Sequence, residues 1–293
     1  MRKPDFLIVG GAKSGTTSLS RYLNAHPKIR VVSEGLEFFG EYENAGLQIE
    51  SQDRYLSLFN NIPSNIIAGE KSVSYLYSRE APGQIYKMNP DMKIIIILRN
   101  PIFRAYSDYW HRVREGTEEL SFDEALVKER ERIQCGARFE LHYANYGLYY
   151  EKVKNYIDIF GQKNVLVLTY DDLKSDPERV CGECFDFFGL EKPSSGADFI
   201  VHNKGGMNNN EFYRKLLKLA GNKMVKRLVR IFVPFGIKRK ITIGIMNKYQ
   251  ENEYPPISDQ QFNNLKVFYR NDLERLSELL GRDLTSWLDR SSE

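Results

Sequence analysis

Residues 10–18 read Gly10-Gly11-Ala12-Lys13-Ser14-Gly15-Thr16-Thr17-Ser18, directly after the apolar run Phe6-Leu7-Ile8-Val9. Glycines let a backbone approach an anion closely and take positive φ. Free amides and the positive end of a helix dipole attract that anion. Lys13 adds a point charge, and Ser14, Thr16, Thr17 and Ser18 add hydroxyl donors. A nucleoside-triphosphate loop reads G-x-x-x-x-G-K-[ST], with its lysine after the second glycine. Here Lys13 precedes Gly15, and Thr16 stands where that lysine would be. The loop is also shorter, which suits a single 5′-phosphate better than a triphosphate. A plain strand-to-helix turn with an incidental lysine is the other reading.

A second anion-binding pattern follows four consecutive isoleucines. Leu98-Arg99-Asn100-Pro101 ends that run, and Arg104 and Ser107 come on the next helical pattern. Ligands in open parallel sheets bind at the carboxyl ends of strands, where a forked guanidinium can hold a phosphate. Arg99 and Ser107 converge on one anion if the helix folds back over the strand end. The alternative for Arg99 is an ion pair at a strand terminus. Two anion sites on two strand ends suit a nucleotide with phosphates at 5′ and 3′.

These residues need elements to hold them. Apolar runs at 5–9, 29–32, 65–68, 92–98 and 164–169 predict strands. Helical patterns cover 17–25, 52–58, 81–89, 102–114, 122–132, 149–160, 177–188 and 258–279. Alternation of the two implies a parallel sheet covered by helices. The expected architecture is α/β, a P-loop-like three-layer sandwich with a central parallel β-sheet flanked by helices, in one domain over 1–293.

The chain has 293 residues, 42% hydrophobic and 28% charged, with formal net charge +3. That is a globular composition and excludes a polycation, so nucleic acid is not an expected partner. Neither a signal-peptide core nor an apolar run of ~20 residues is present. The three cysteines, Cys135, Cys181 and Cys184, are too few for a disulfide framework. The expected compartment is cytoplasmic. Cys181 and Cys184 have CxxC spacing but no second pair, and read as one face of a helix. Residues 211–240 carry many lysines and arginines against Glu211. They form either a solvated face or a contact for an anionic membrane surface or substrate chain.

The chain resembles the sulfotransferases that use 3′-phosphoadenosine-5′-phosphosulfate (PAPS), especially the glycan-modifying, heparan-sulfate-type branch and its bacterial relatives. Gly11 to Leu19 resembles their 5′-phosphosulfate loop, and Leu98 to Ser107 their 3′-phosphate motif. Gly69-Glu70-Lys71-Ser72, Tyr170-Asp171-Asp172-Leu173 and the nucleotide-covering loop Val201 to Gly206 match as well. The resemblance runs over about residues 5–215, the expected nucleotide-binding core, and leaves a basic helical region at about 211–293. It implies sulfonate transfer from PAPS to a hydroxyl or amine of a glycan or small molecule, without a metal.

The resemblance also implies roles. Gly11, Ala12, Lys13, Ser14, Gly15, Thr16, Thr17, Ser18, Arg99, Ser107, Lys204, Gly205 and Gly206 would bind the cofactor. Lys13 would neutralise the leaving 5′-phosphate. Lys71 would be a second cation at the sulfonate, or would pair with Glu70. The base departs from the pattern: a segment resembling Lys-Glu-x-His-Phe-Phe is here Glu34-Gly35-Leu36-Glu37-Phe38-Phe39. Gly35 holds the usual glutamate position, so Glu37, Glu34 and His111 are the candidates, Glu37 first. Tyr143 and Tyr146 suit stacking on a sugar or plain packing. A lipid-linked sugar or oligosaccharide is the expected acceptor. Two rivals stay open: a P-loop kinase-like phosphotransferase, and a non-catalytic binder of nucleotide or glycan.

Overall fold

The computed structural model describes residues 1–40, 51–136, 139–192 and 254–290. Five strands form one sheet: β1 (Phe6–Gly10), β2 (Ile29–Glu34), β3 (Ile67–Lys71), β4 (Lys93–Leu98) and β5 (Val165–Thr169). Their order is β2-β3-β1-β4-β5, and every pairing is parallel. Phe6 to Val9 and Ile94 to Leu98 are fully buried, so both faces of these strands are covered. Each such side chain contributes roughly 1.5–3 kcal/mol by leaving water.

On one face, α1 (Thr16–Asn24) and α8 (Pro177–Phe188) supply Leu19, Leu23, Val180 and Cys184, which cluster with Phe6, Ile8, Ile95 and Ile97. The alternate side chains Leu7, Ile94, Ile96 and Leu98 face the other way, as the period of two requires. The 3-10 turn Val73–Leu76, α3 (Ala81–Met88) and α6 (Tyr150–Phe160) cover that side. Tyr156 Oη donates to the Tyr75 carbonyl at 3.0 Å and ties α6 to the turn. The α/β sandwich expected from the alternation is therefore the fold.

Two local features differ from the sequence expectation, and for Tyr143 and Tyr146 the packing alternative holds. A short strand was expected to end at Ala68, but β3 runs through Glu70 and Lys71, because Phe6, Leu7 and Ile8 pair with Gly69, Glu70 and Lys71. The approach is so close that a Cβ on Gly69 would lie 2.3 Å from the Phe6 carbonyl oxygen. The turn after β5 is a short helix, α7 (Tyr170–Ser175), started by the Thr169 hydroxyl accepting from the Asp172 N–H at 3.2 Å. Tyr143 and Tyr146 pack inward. Tyr143 is fully buried, and Tyr146 stacks on Tyr77 at 3.4 Å. Neither is presented for stacking on a sugar.

By contacts the chain divides into two compact units. The first, 1–104, 145–202 and 266–293, contains the sheet, α2 (Gln52–Ser57) and most of α9 (Asp259–Leu280). The second, 105–144 and 203–265, holds most of α4 (Pro101–Glu115) and all of α5 (Phe122–Gln134). Within it, Tyr106 and Tyr109 pack against Phe122. Buried Glu118 takes a two-pronged bond from Arg132 (2.6 and 3.0 Å) and another from Tyr143 Oη at 2.9 Å. Cys181 and Cys184 lie on α8 as buried free thiols, and burial pushes the Cys181 thiol up to about 12. The basic stretch 211–240 lies outside the described residues.

Candidate active site

The site grows from strand ends. In a parallel sheet all carboxyl ends lie along one edge, and the chain crosses from β3 on one side of β1 to β4 on the other. That reversal opens a crevice beside β1. Glu34 ends β2 with its Cα opposite Lys71, the last residue of β3. The loop 11–15 leaves β1, Arg99 leaves β4, and Tyr170 leaves β5.

The loop 11–15 has the geometry of an anion cradle. Gly11 N–H donates to the Ile97 carbonyl at 2.6 Å, and Ala12 N–H to Tyr77 Oη at 3.2 Å. These two bonds seat the loop on β4 and the opposite tyrosine. Lys13 takes a left-handed φ of 63°, which costs a non-glycine residue about 1–2 kcal/mol. Gly15 has φ 81°, and a Cβ there would lie 2.9 Å from the Tyr170 ring, so its position demands glycine on both counts. Gly15 is the N-cap of α1 and brings no side chain to cap it. The first N–H groups of a helix have no intrahelical partner and await an acceptor.

Ser14 supplies the sharpest sign of a ligand. Its side chain is fully buried, and its Oγ has no hydrogen-bond partner. A buried unsatisfied hydroxyl costs about 1–3 kcal/mol. A phosphate oxygen seated in the loop would remove that cost. Thr16 and Ser18 are also buried.

Two cations converge on this loop. Lys71 Nζ donates to Thr17 Oγ1 at 3.2 Å, so the expected second cation stands at the start of α1. Arg99 Nη1 donates to the Lys13 carbonyl at 3.3 Å, and its guanidinium lies 4.9 Å from the centre of the Tyr170 ring. The Arg99 carbonyl accepts from Tyr149 Oη at 2.9 Å. Asn100 Oδ1 accepts from the Ile102 N–H at 3.0 Å, starting α4, while its Nδ2 donates to the Trp287 carbonyl at 2.7 Å. Trp287 Nε1 in turn donates to Asp171 Oδ2 at 2.7 Å. Thus β4, α7 and the C-terminal turn hold Arg99 in place.

Glu37 also has a left-handed backbone, φ 49°. Its N–H donates to Ser72 Oγ at 3.2 Å, and the next N–H, of Phe38, to Tyr75 Oη at 3.0 Å. Phe38 stacks on Tyr55 at 4.3 Å, and Phe39 is buried edge-on against Tyr55 and Tyr75. Gly35 N–H donates to the Lys71 carbonyl at 2.7 Å. The candidate base segment is thereby brought to the end of β3, beside Lys71. In the second unit, Ser107 is buried on α4. His111 lies one turn further, its Nε2 3.3 Å from Glu115 and its Nδ1 2.8 Å from Arg114. Lys204, Gly205 and Gly206 lie outside the described residues.

Sequence reasoning missed the aromatic and polar supports. Tyr77, Tyr149 and Trp287 come from remote segments, and nothing local marks them, whereas Tyr170 opens the recognised motif Tyr170-Asp171-Asp172-Leu173. Glu70 stood in a recognised motif, which was the available signal.

A parallel sheet with a glycine loop and paired cations at its carboxyl edge defines a binder of phosphorylated nucleotides. The sulfotransferase domain model matches residues 3–222, and the chain belongs to that family. It is 31% identical over 205 residues to human heparan sulfate glucosamine 3-O-sulfotransferase 6, covering 70% of this chain and 58% of the relative. It is 28% identical over 303 residues to human bifunctional heparan sulfate N-deacetylase/N-sulfotransferase 3, covering 98% of this chain and 31% of that one. The chain thus spans about three-fifths or less of these relatives. The crystal structure of a sulfotransferase from Alicyclobacillus acidocaldarius superposes with TM-score 0.73 at 29% identity, over 99% of this chain and 100% of that one.

Proposed function

We propose that this protein transfers the sulfonate group of PAPS to a hydroxyl or amine of a glycan acceptor. Family membership supports the reaction class, and the names of its heparan sulfate relatives favour a glycan. The observation that carries the reading is the buried, partnerless Ser14 Oγ in a glycine cradle flanked by Lys71 and Arg99. When bound, the donor supplies the sulfonate group and a 5′-phosphate leaving group.

The chain's own residues do the rest. Lys13 and Lys71 bring positive charge to the loop, where negative charge grows on a departing phosphate. Ser14, Thr16, Thr17, Ser18 and the first amides of α1 hold that phosphate in fixed orientation. Arg99 and Ser107 are the residues for the 3′-phosphate, with Lys204 to Gly206 covering the nucleotide. Glu37 is the first candidate to take the acceptor's proton, ahead of Glu34 and His111. The donors in the cradle are cationic and hydroxylic, a set suited to anions, and the reading requires no metal. The stretch 211–240 is assigned to an anionic acceptor chain or membrane surface, and the protein to the cytoplasm.

Calorimetry with 3′,5′-adenosine bisphosphate, against magnesium-ATP in parallel, tests the reading. Micromolar binding of the bisphosphate in EDTA, much tighter than ATP, is expected. So is EDTA-insensitive sulfonation of N-acetylheparosan-type oligosaccharides. Magnesium-dependent preference for ATP would favour the kinase-like reading, and tight binding with no turnover of any acceptor a non-catalytic one.

A further inference from the structure

We infer that Glu70 is a positioning residue: its buried carboxylate fastens the segment Gly35–Phe39, and with it Glu37, to the end of β3 through the hydroxyl of Ser72. The inference rests on the sulfonate-transfer reading for its effect on turnover, and on geometry alone for its effect on the segment.

Glu70 is wholly buried and lies next to Lys71 on β3, so the two side chains leave opposite faces of the sheet. Lys71 goes to Thr17 on the phosphate loop. Glu70 goes to hydroxyls. Ser72 Oγ donates to its Oε2 at 2.8 Å, Tyr55 Oη donates to its Oε1 at 3.5 Å, and the Tyr75 phenol feels its charge. The same Ser72 Oγ accepts from the Glu37 N–H, and the same Tyr75 Oη accepts from the Phe38 N–H.

Direction is what the carboxylate supplies. Ionised, above about pH 7, the carboxylate only accepts, so the Ser72 hydroxyl spends its single proton inward and turns its lone pairs outward. Those lone pairs meet the Glu37 amide, and the Tyr75 hydroxyl accepts from the next one. The anchor matters because Glu37 holds a left-handed φ that a glutamate adopts unwillingly. A carboxamide at position 70 presents an NH₂ to one hydroxyl. That hydroxyl must then accept twice and leave its own proton buried without a partner. One arm of the clamp is lost while the volume stays the same.

The test compares Glu70→Gln, Ser72→Ala and Tyr75→Phe with the wild-type chain at a pH well above 7, where Glu70 is ionised, each checked for a cooperative melt. The two hydroxyl variants keep the carboxylate, so the inference stays testable if Glu70→Gln does not fold. Hydrogen exchange of residues 35–39 should quicken about tenfold or more in each variant, while exchange in residues 11–18 stays unchanged. Turnover should fall about 10- to 100-fold, with KM for the donor and bisphosphate affinity within about twofold of wild type. The loss should vanish when Glu37→Gln is already present, because both changes act through one group.

Unchanged exchange at 35–39 would overturn the inference, as would losses that multiply with Glu37→Gln. A parallel fall in bisphosphate affinity would also overturn it, because Glu70 would then be a general support of the sheet. Quickened exchange in the variants, together with a wild-type chain that sulfonates nothing, would sink the sulfonate-transfer reading and leave the clamp standing.

Discussion

Burial pushes the Glu70 carboxyl up to about 7 from 4.5, against the opposing pull of its hydrogen bonds from Tyr75, Ser72 and Tyr55 and of nearby Lys71. Between those two values the folded chain keeps a proton that the unfolded chain has released. Stability therefore falls as pH rises through that window, and the loss is complete above it. The shift corresponds to roughly 3 kcal/mol. Urea titrations should show the wild type losing stability from pH 5 to pH 8 and Glu70→Gln losing much less. The facing phenols of Tyr55 and Tyr75 are held above their usual range by burial, so they stay neutral across that window. A second residue carries a sharper cost: Gly15→Ala places a Cβ 2.9 Å from the Tyr170 ring at φ 81°. Bisphosphate affinity should drop at least tenfold by calorimetry, with stability lower by about 1–2 kcal/mol. The cradle was legible because Gly11 to Ser18 cluster glycine, lysine and hydroxyls in one stretch. The clamp on Glu37 was not, since Tyr55 and Tyr75 meet Glu70 only after folding. Their sequence positions carry no period or motif that joins them.

At the scale of elements, short local signals performed unevenly. The run Ile94 to Ile97 can only be a strand covered on both faces, and it is β4. Pro177 at the first turn and Gly189 after the last bounded α8 correctly, with Gly189 at φ 69°. The end of β3 was missed because Gly69, Glu70 and Lys71 have weak strand preference, and pairing with β1 overrides it. The helix α7 was missed because its start depends on one threonine hydroxyl. Asp176 Oδ1 similarly accepts from the Arg179 N–H at 3.0 Å and caps α8. Asp176→Ala should cost about 1 kcal/mol in a denaturant melt and leave bisphosphate affinity untouched. Caps set the lengths of elements, whereas the site depends on where the elements end.

Across the whole molecule, a turn near residue 287 reaches the second anion site. Trp287 accepts from Asn100 beside Arg99 and donates to Asp171 beside Tyr170. It is almost wholly buried. Trp287→Ala should lower stability by about 3–5 kcal/mol. At a temperature where the variant is still folded, it should also weaken bisphosphate binding by loosening Arg99. Trp287→Phe keeps the volume and loses only the bond to Asp171, so a smaller loss, about 1 kcal/mol, is expected. This long-range tie left no trace in the sequence, where 187 residues separate Trp287 from Asn100 and 116 separate it from Asp171. The parallel, helix-covered sheet, by contrast, followed from the alternation of strand and helix patterns, whereas its strand order became visible only in the structure.

The parallel sheet also has a second edge, where the strands begin. The connections entering β2, β3, β4 and β5 lie there: residues 25–28, 61–66, 89–92 and 161–164. None of them carries a residue of the cradle, the clamp or the Arg99 support. The protein is therefore polar as an object to be handled, with a working rim and a rim that, among the described residues, carries none of the site. A single thiol introduced at exposed Gln162, after Cys135 is replaced by serine, would fix the enzyme to a support with its crevice facing the solution. Immobilised that way it should keep its turnover, whereas attachment through the loop after β1 should abolish it.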